Sequence, residues 1–207
     1  LPCRTLSRKK VQGFGKILMT LPDILEQVKS HFPNIAPAVP SPIKDITAFK
    51  VSMKDYIPLM SHLKEKLGFE YLDFVTAVDW KGPVDAKGYI TDHNPNPLLP
   101  EGATPQVAPE PPTPGFPYRE AFEIVAIVSN WQEKTKICVR VEAPRSKATV
   151  PSLVSLWKTA DWQEREVFDL LGINFEGHPN LKKILTPDFI QGHPLRKDYV
   201  HVKDKYD

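Results

Sequence analysis

A chain of 207 residues suits one domain with appendages or two small ones, and 41% apolar with 25% charged residues is an ordinary globular composition. The formal net charge of +2 argues against a basic nucleic-acid-binding face, and no apolar run approaches the roughly 20 residues of a membrane-spanning helix. Two cysteines, Cys3 and Cys138, are too few for the four thiolates of a typical iron–sulfur cluster, and no CxxC pair offers a zinc site.

Residues 1–16 carry Arg4, Arg8, Lys9, Lys10 and Lys16 with no acid before Asp23. That pattern reads as a basic tail or docking arm, and a transit peptide shares it. Leu21, Ile24, Leu25, Val28 and Phe32 fall on one face of a short helix. The proline-rich run 33–42 reads as a linker, so residues 1–44 form an arm with a helix. The spacing then predicts a strand over 45–53 and a helix over 54–68, with Pro58 in its first turn and Gly68 at its end. Alternation with β-branched and aromatic residues predicts a strand over 69–80.

Ten of the 22 prolines lie between Pro83 and Pro117, so 82–118 reads as a long irregular insert in a core domain spanning 45–171. Two further strands, 120–130 and 135–144, flank the hairpin turn "WQEK". The second buries Ile137, Val139 and Val141 and presents Arg140 and Glu142, with Cys138 read as a buried, inert thiol. Hairpin strands with helices on one face make an α+β domain, mainly an antiparallel sheet.

A short helix is expected from about Val150, and a second over 160–171. In the second, Asp161 and Glu164 resemble a capping box, and Arg165 can pair with Asp169 one turn on. Glu164, Arg165, Glu166 and Asp169 lie close together, with Gly172 to end the helix. Catalysis would require a pocket and a shifted pKa, and the sequence offers neither. Capping and charge pairing account for the same acids. "GHP" recurs at Gly177-His178-Pro179 and Gly192-His193-Pro194. Glycine permits positive φ and proline holds the preceding histidine extended, so each copy fixes a bend and aims an imidazole. No HxH or HxxxH spacing supports a metal, and hydrogen bonds to backbone are the favoured use of both rings. Residues 172–207 form an extended tail, with Arg196, Lys197, Asp198 and Tyr199 near its end. It has little periodicity and needs a surface, its own domain or a partner, to lie on.

The run "WQEREVFDLLGINFEGHPNLKKILTPDFIQGHPLRKDY", residues 162–199, resembles the 30-kDa (C-type) subunit family of respiratory complex I, the proton-pumping NADH:quinone oxidoreductase. The resemblance rests on Glu164, Arg165, Glu166, Phe168, Asp169, Gly172, Ile173, Phe175, Gly177 to Pro179 and Gly192 to Tyr199, and extends over about 45–81 and 119–200. It implies a non-redox subunit of the peripheral arm, with no catalytic, cofactor or metal site of its own. FMN, iron–sulfur clusters, NADH and quinone would belong to other subunits. The implied partners are the 49-kDa (D-type) subunit and the B-type subunit, at the cytoplasmic face of a bacterial inner membrane or the matrix or stromal side. The equivalent subunit of a membrane-bound hydrogenase, F420H2 dehydrogenase or ferredoxin-fed photosynthetic-type complex stays open as an alternative. More remote is a freestanding carboxylate–histidine enzyme. Arg165 and Arg196 are the expected members of buried charge pairs.

Overall fold

The computed structural model describes residues 21–35, 39–40, 46–82, 115 and 117–199. The basic arm 1–20 and the body of the proline insert lie outside them.

Five strands form a mixed sheet in the order β1-β2-β5-β4-β3: β1 (Val39–Pro40), β2 (Thr47–Val51), β3 (Tyr71–Asp79), β4 (Ala121–Asn130) and β5 (Thr135–Pro144). β4 and β5 pair antiparallel, as the hairpin signal predicts, and β3 is the antiparallel neighbour of β4 on the other side. β2 runs parallel to β5, pairing Thr47 with Ile137 through Val51 with Val141. Parallel strands need a crossover, and the chain from β2 passes through helix α2 (Met53–Glu65) to β3 at the far edge.

The strand alternation decides which side chains face α2. Phe49 and Val51, Ile137, Val139 and Val141, and Phe122, Ile124, Ala126 and Val128 are all buried in one core. Tyr56, Leu59, Met60 and Leu63 of α2 and Ile24 and Val28 of α1 (Leu21–His31) join them. Each fully buried aliphatic side chain contributes about 1.5–3 kcal/mol relative to exposure. On β3 the simple period of two fails. An irregularity between Leu72 and Phe74 lets Leu72 and Val75, three residues apart, both reach the core. The extra residue, Asp73, accepts from Ser129 and pairs with Lys136 at 2.6 Å. The opposite face of the sheet carries a small cluster of Ala48, Ile127 and Cys138. Burial pushes the Cys138 thiol up, against the pull of Arg140 and with the help of Glu123.

Three local expectations are corrected. α2 begins at Met53 behind a Ser52 cap, which places Pro58 in the second turn, and it ends at Glu65 before Gly68. The linker contains β1, paired with β2. Residues 149–151 form strand β6 (Thr149–Pro151), followed by a tight turn in place of a helix. β6 pairs in parallel with β7 (Asn174–Glu176), so Val150 and Phe175 need each other and not a helix. Between β6 and β7 lies α3 (Ala160–Leu171). Gln163 on α3 seals the free edge of β3: Val75 N–H donates to its amide oxygen at 2.6 Å, and its amide nitrogen donates to Asp73 O at 3.4 Å.

Candidate functional site

The residues singled out by the sequence lie on α3 and on the tail that follows it. They do not converge as one group. They form a series of staples, each joining helix, turn or tail to something else.

Glu164 is fully buried, and it reaches away from its own helix start. Ser152 Oγ and Leu153 N–H both donate to its carboxylate at 2.6 Å, so it anchors the turn after β6. The expected capping box is therefore absent, and the N-cap Thr159 makes no side-chain cap bond. Burial pushes the Glu164 carboxyl up to about 7, against its hydrogen bonds from Ser152 and Leu153 and with a smaller push from Asp161. The Tyr56 hydroxyl is buried nearby, and its pKa is raised by burial and by Glu164.

Asp169 is also fully buried. Its Oδ2 accepts the N–H groups of Ile184, Leu185 and Thr186 at 2.9, 2.7 and 2.9 Å, and its Oδ1 accepts the Thr186 hydroxyl. Three successive backbone donors thus converge on one carboxylate. Burial alone would raise its pKa, but these four hydrogen bonds win and hold it at about 2. Asp169 is occupied by the tail, so the expected pairing with Arg165 does not occur. Arg165 Nε donates to Lys182 O at 3.1 Å, and its guanidinium lies 5.1 Å from the Trp162 ring centroid.

The two GHP turns aim their rings at α3. Asn180 N–H donates to His178 Nδ1, so Nε2 carries the proton and donates to Asp161 O at 3.1 Å. His193 Nδ1 lies 2.9 Å from Asp169 O. Both rings bond backbone, as the sequence reading favours. Gly172 ends α3 with φ of 69°, and an added Cβ would come within 2.3 Å of the His193 ring. Only glycine permits both the turn and that approach. Gly192, at φ of 78°, packs beneath the Tyr199 ring, and Gly177 has φ of 84°.

Arg196 is not part of the expected carboxylate pair. Its Nε donates to Leu171 O at 2.6 Å and its Nη2 to Gly172 O at 3.4 Å. A cation is thereby placed on the orphan carbonyls at the negative end of α3. Leu195 N–H bonds Leu170 O beside it. The buried charge pair falls on a residue that sequence reasoning missed. Arg145, with a side chain only 7% exposed, donates to Asp79 at 3.0 Å and to both oxygens of Asp198 at 2.7 and 3.2 Å. Lys197 N–H donates to Asp79 as well, and Lys81 lies 3.4 Å from Asp198. Burial opposes the charge on Asp198, yet Arg145 and Lys81 hold its pKa below the usual carboxylate range. Arg145 and Arg196 also lie 5.1 and 5.2 Å from the ring centroid of the buried Phe122. The one available signal was Asp79, an acid on the inward row of a strand, which requires a buried partner. Glu166 and Pro179 are exposed and Pro194 is half-buried.

This arrangement holds an aperiodic tail in one path across α3 and onto the sheet's end. Residues 49–205 match the family described as the respiratory-chain NADH dehydrogenase 30 Kd subunit. The chain belongs to this family. As a member of the 30-kDa subunit family it is one component of an oxidoreductase complex. It is 36% identical over 155 residues to the C-type subunit of the NADH-quinone oxidoreductase of Moorella thermoacetica, covering 75% of this chain and 80% of that one. It is 44% identical over 87 residues to the J-type subunit of the chloroplastic NAD(P)H-quinone oxidoreductase of Chaetosphaeridium globosum, covering 42% of this chain and 52% of that protein. Two solved structures share the fold. A trypsin-resistant fragment of Nqo5 superposes with a TM-score of 0.51 at 24% identity, over 79% of this chain and all of that one. A chain of the membrane-bound sulfane sulfur reductase, an archaeal respiratory membrane complex, does so with a TM-score of 0.57 at 20% identity, over 86% of this chain and 84% of that one. Among the described residues of this 30-kDa family member, no helix is long and apolar enough to cross a membrane.

Proposed function

We propose that this chain is a non-redox structural and assembly subunit of the peripheral arm of a proton-pumping NADH:quinone oxidoreductase. In this reading α3 and the tail form the face that docks on the 49-kDa (D-type) subunit and on the cluster-bearing B-type subunit. The signature residues Glu164 to Tyr199 build that face. NADH, FMN, the iron–sulfur clusters and quinone are held by other subunits, and the chain reaches the membrane only through the complex, at its cytoplasmic face.

The observation that carries this reading is the fate of Asp169. A fully buried carboxylate is committed to three backbone N–H groups of an otherwise aperiodic segment. A proton-transfer group needs an approachable site and a pKa near the working pH. Asp169 has neither, whereas a clamp needs the preorganisation that it supplies. Glu164 does have its carboxyl pushed up to about 7, but it is fully buried and engaged in holding a turn through Ser152 and Leu153.

The test is isolation of the tagged full-length chain from gently solubilised native membranes, with its partners identified by mass spectrometry. Recovery of the 49-kDa and cluster-bearing homologues with an NADH-binding flavoprotein is expected. A chain that runs alone and monodisperse in those extracts overturns the proposal. Nickel-site subunits in place of the flavoprotein would assign it to a hydrogenase-type relative.

A further inference from the structure

Two histidines stand apart from the staples of α3 and the tail. His31 ends α1, and His62 opens the last turn of α2. Their ring centroids are 4.6 Å apart with the planes at 37°, and Phe32 meets the His62 ring edge-on at 5.6 Å. The chain behind them is closed by Phe32 N–H to Val28 O at 2.9 Å and by Ile35 N–H to Phe32 O at 3.1 Å. His62 is thus held by two aromatic rings from the end of the helix that sends Ile24 and Val28 into the core. α1 precedes residues 49–205, which match the family, and none of the sheet's strand pairings runs through it. Its undocking leaves every pairing of the sheet in place.

The surroundings of the pair suit neutral rings. His31 Nδ1 lies 3.0 Å from Gln27 O, which can only accept, so Nδ1 carries the proton and Nε2 is the basic atom. His62 Nε2 is buried with no hydrogen-bond partner. A neutral imidazole can turn a lone pair toward that space, whereas an imidazolium must place a charged N–H there with no acceptor. Burial, then His31, then Lys66 lower the pKa of His62. Lys29 adds an exposed cation on α1, and Lys64 is drawn off to Leu156 O. The acids lie elsewhere: Glu65 is exposed at the end of α2, Asp55 bonds Ser52 at its start, and Asp23 and Glu26 belong to the first half of α1. β5 and β6, which pack on α2, bring the apolar Ile137, Val139, Val141 and Val150 to the same core. Among the described residues, His178 is the histidine within ion-pair distance of a carboxylate, and neither His31 nor His62 is.

We propose that the stacked His31–His62 pair is a pH-sensitive latch between α1 and α2. With both rings neutral, α1 stays docked. As pH falls, a proton on His62 puts an unpaired N–H into buried space beside His31, and the end of α1 opens so that the ring reaches water. His62 binds its proton less readily when docked, so its contribution to docking is complete above the ordinary histidine value of 6.5 and is lost as pH falls below it. Opening uncovers Ile24 and Val28, both fully buried in the docked form. The latch does not depend on the docking function proposed above.

The test is hydrogen exchange on the full chain, corrected for the intrinsic effect of pH and read at Val28, Phe32 and Ile35 against the amides of β4. Between about pH 7.5 and about pH 5.5, opening of α1 is expected to rise several-fold, with a ceiling of about tenfold for one proton excluded over the unit below 6.5. Glu164 works the other way over this range, since its raised pKa makes the core more stable as pH falls, so β4 supplies the reference. His62→Gln removes the titrating ring and is expected to make α1 protection independent of pH. Should that variant undock α1 at every pH, the ring proton signals of His62 in the wild type decide, and they are expected to titrate below 6.5 in step with the opening of α1. Wild-type α1 protection that does not change with pH, an equal fall in a docked His62→Gln variant, or a His62 ring titrating at or above 6.5 overturns the proposal.

Discussion

Replacing Asp169 by Asn removes one charge and nearly nothing else. The side chain keeps its shape and one acceptor oxygen, but three tail N–H groups now face a neutral amide. The worth of that charge follows from the carboxyl being held at about 2 instead of 3.8. At 1.36 kcal/mol per unit this is about 2 kcal/mol. Because the folded pKa is depressed, the stabilisation is complete above the unfolded value. It is lost as pH falls from about 4 toward 2. The energy belongs to the docking of residues 184–186, so the loss appears as local opening and not as melting of the sheet. Hydrogen exchange on the isolated chain at neutral pH measures it directly. A 2 kcal/mol loss is a roughly 30-fold fall in protection at Ile184, Leu185 and Thr186. Amides of β4 should keep their rates, and trypsin should cut more quickly after Lys182 and Lys183. Wild-type protection at 184–186 in the Asn variant would refute the assignment of Asp169 as the tail's anchor.

Further expectations concern the other staples. Glu164 has a folded pKa of about 7 against an ordinary 4.5, so the wild type should lose about 3 kcal/mol of stability as pH rises from 4.5 through 7. Glu164→Gln should flatten that slope in urea denaturation curves taken at several pH values. Arg145→Ala leaves Asp79, whose side chain is 2% exposed, without its cation, and should cost about 3–5 kcal/mol in the same assay. Gly172→Ala forces a left-handed residue, at about 1–2 kcal/mol, and drives its Cβ into the His193 ring. Exchange at Leu195 and Arg196 should accelerate in that variant while the core strands stay protected.

Period and punctuation in the sequence determined the local elements: α1, α2, α3 and the β4–β5 hairpin follow from apolar spacing and turn residues acting within a few positions. The run from Trp162 to Tyr199 also carried the family, and the GHP turns carried the direction of their imidazoles. Tertiary structure alone decided how those elements and charges are joined. The parallel pairing of β2 with β5 depends on strands whose partners lie about ninety residues apart. The irregularity at Asp73 reverses a parity that alternation cannot foresee. The ends of the charged side chains were the least legible. Arg165 and Asp169 are one turn apart and sterically free to pair, yet each is taken by tail backbone fifteen to seventeen residues on. Arg145 finds its acids 66 and 53 residues away. A long charged side chain is compatible with many partners locally. Only the folded chain shows which acceptor is buried beside it, and burial is what makes one of those pairings worth more than the rest.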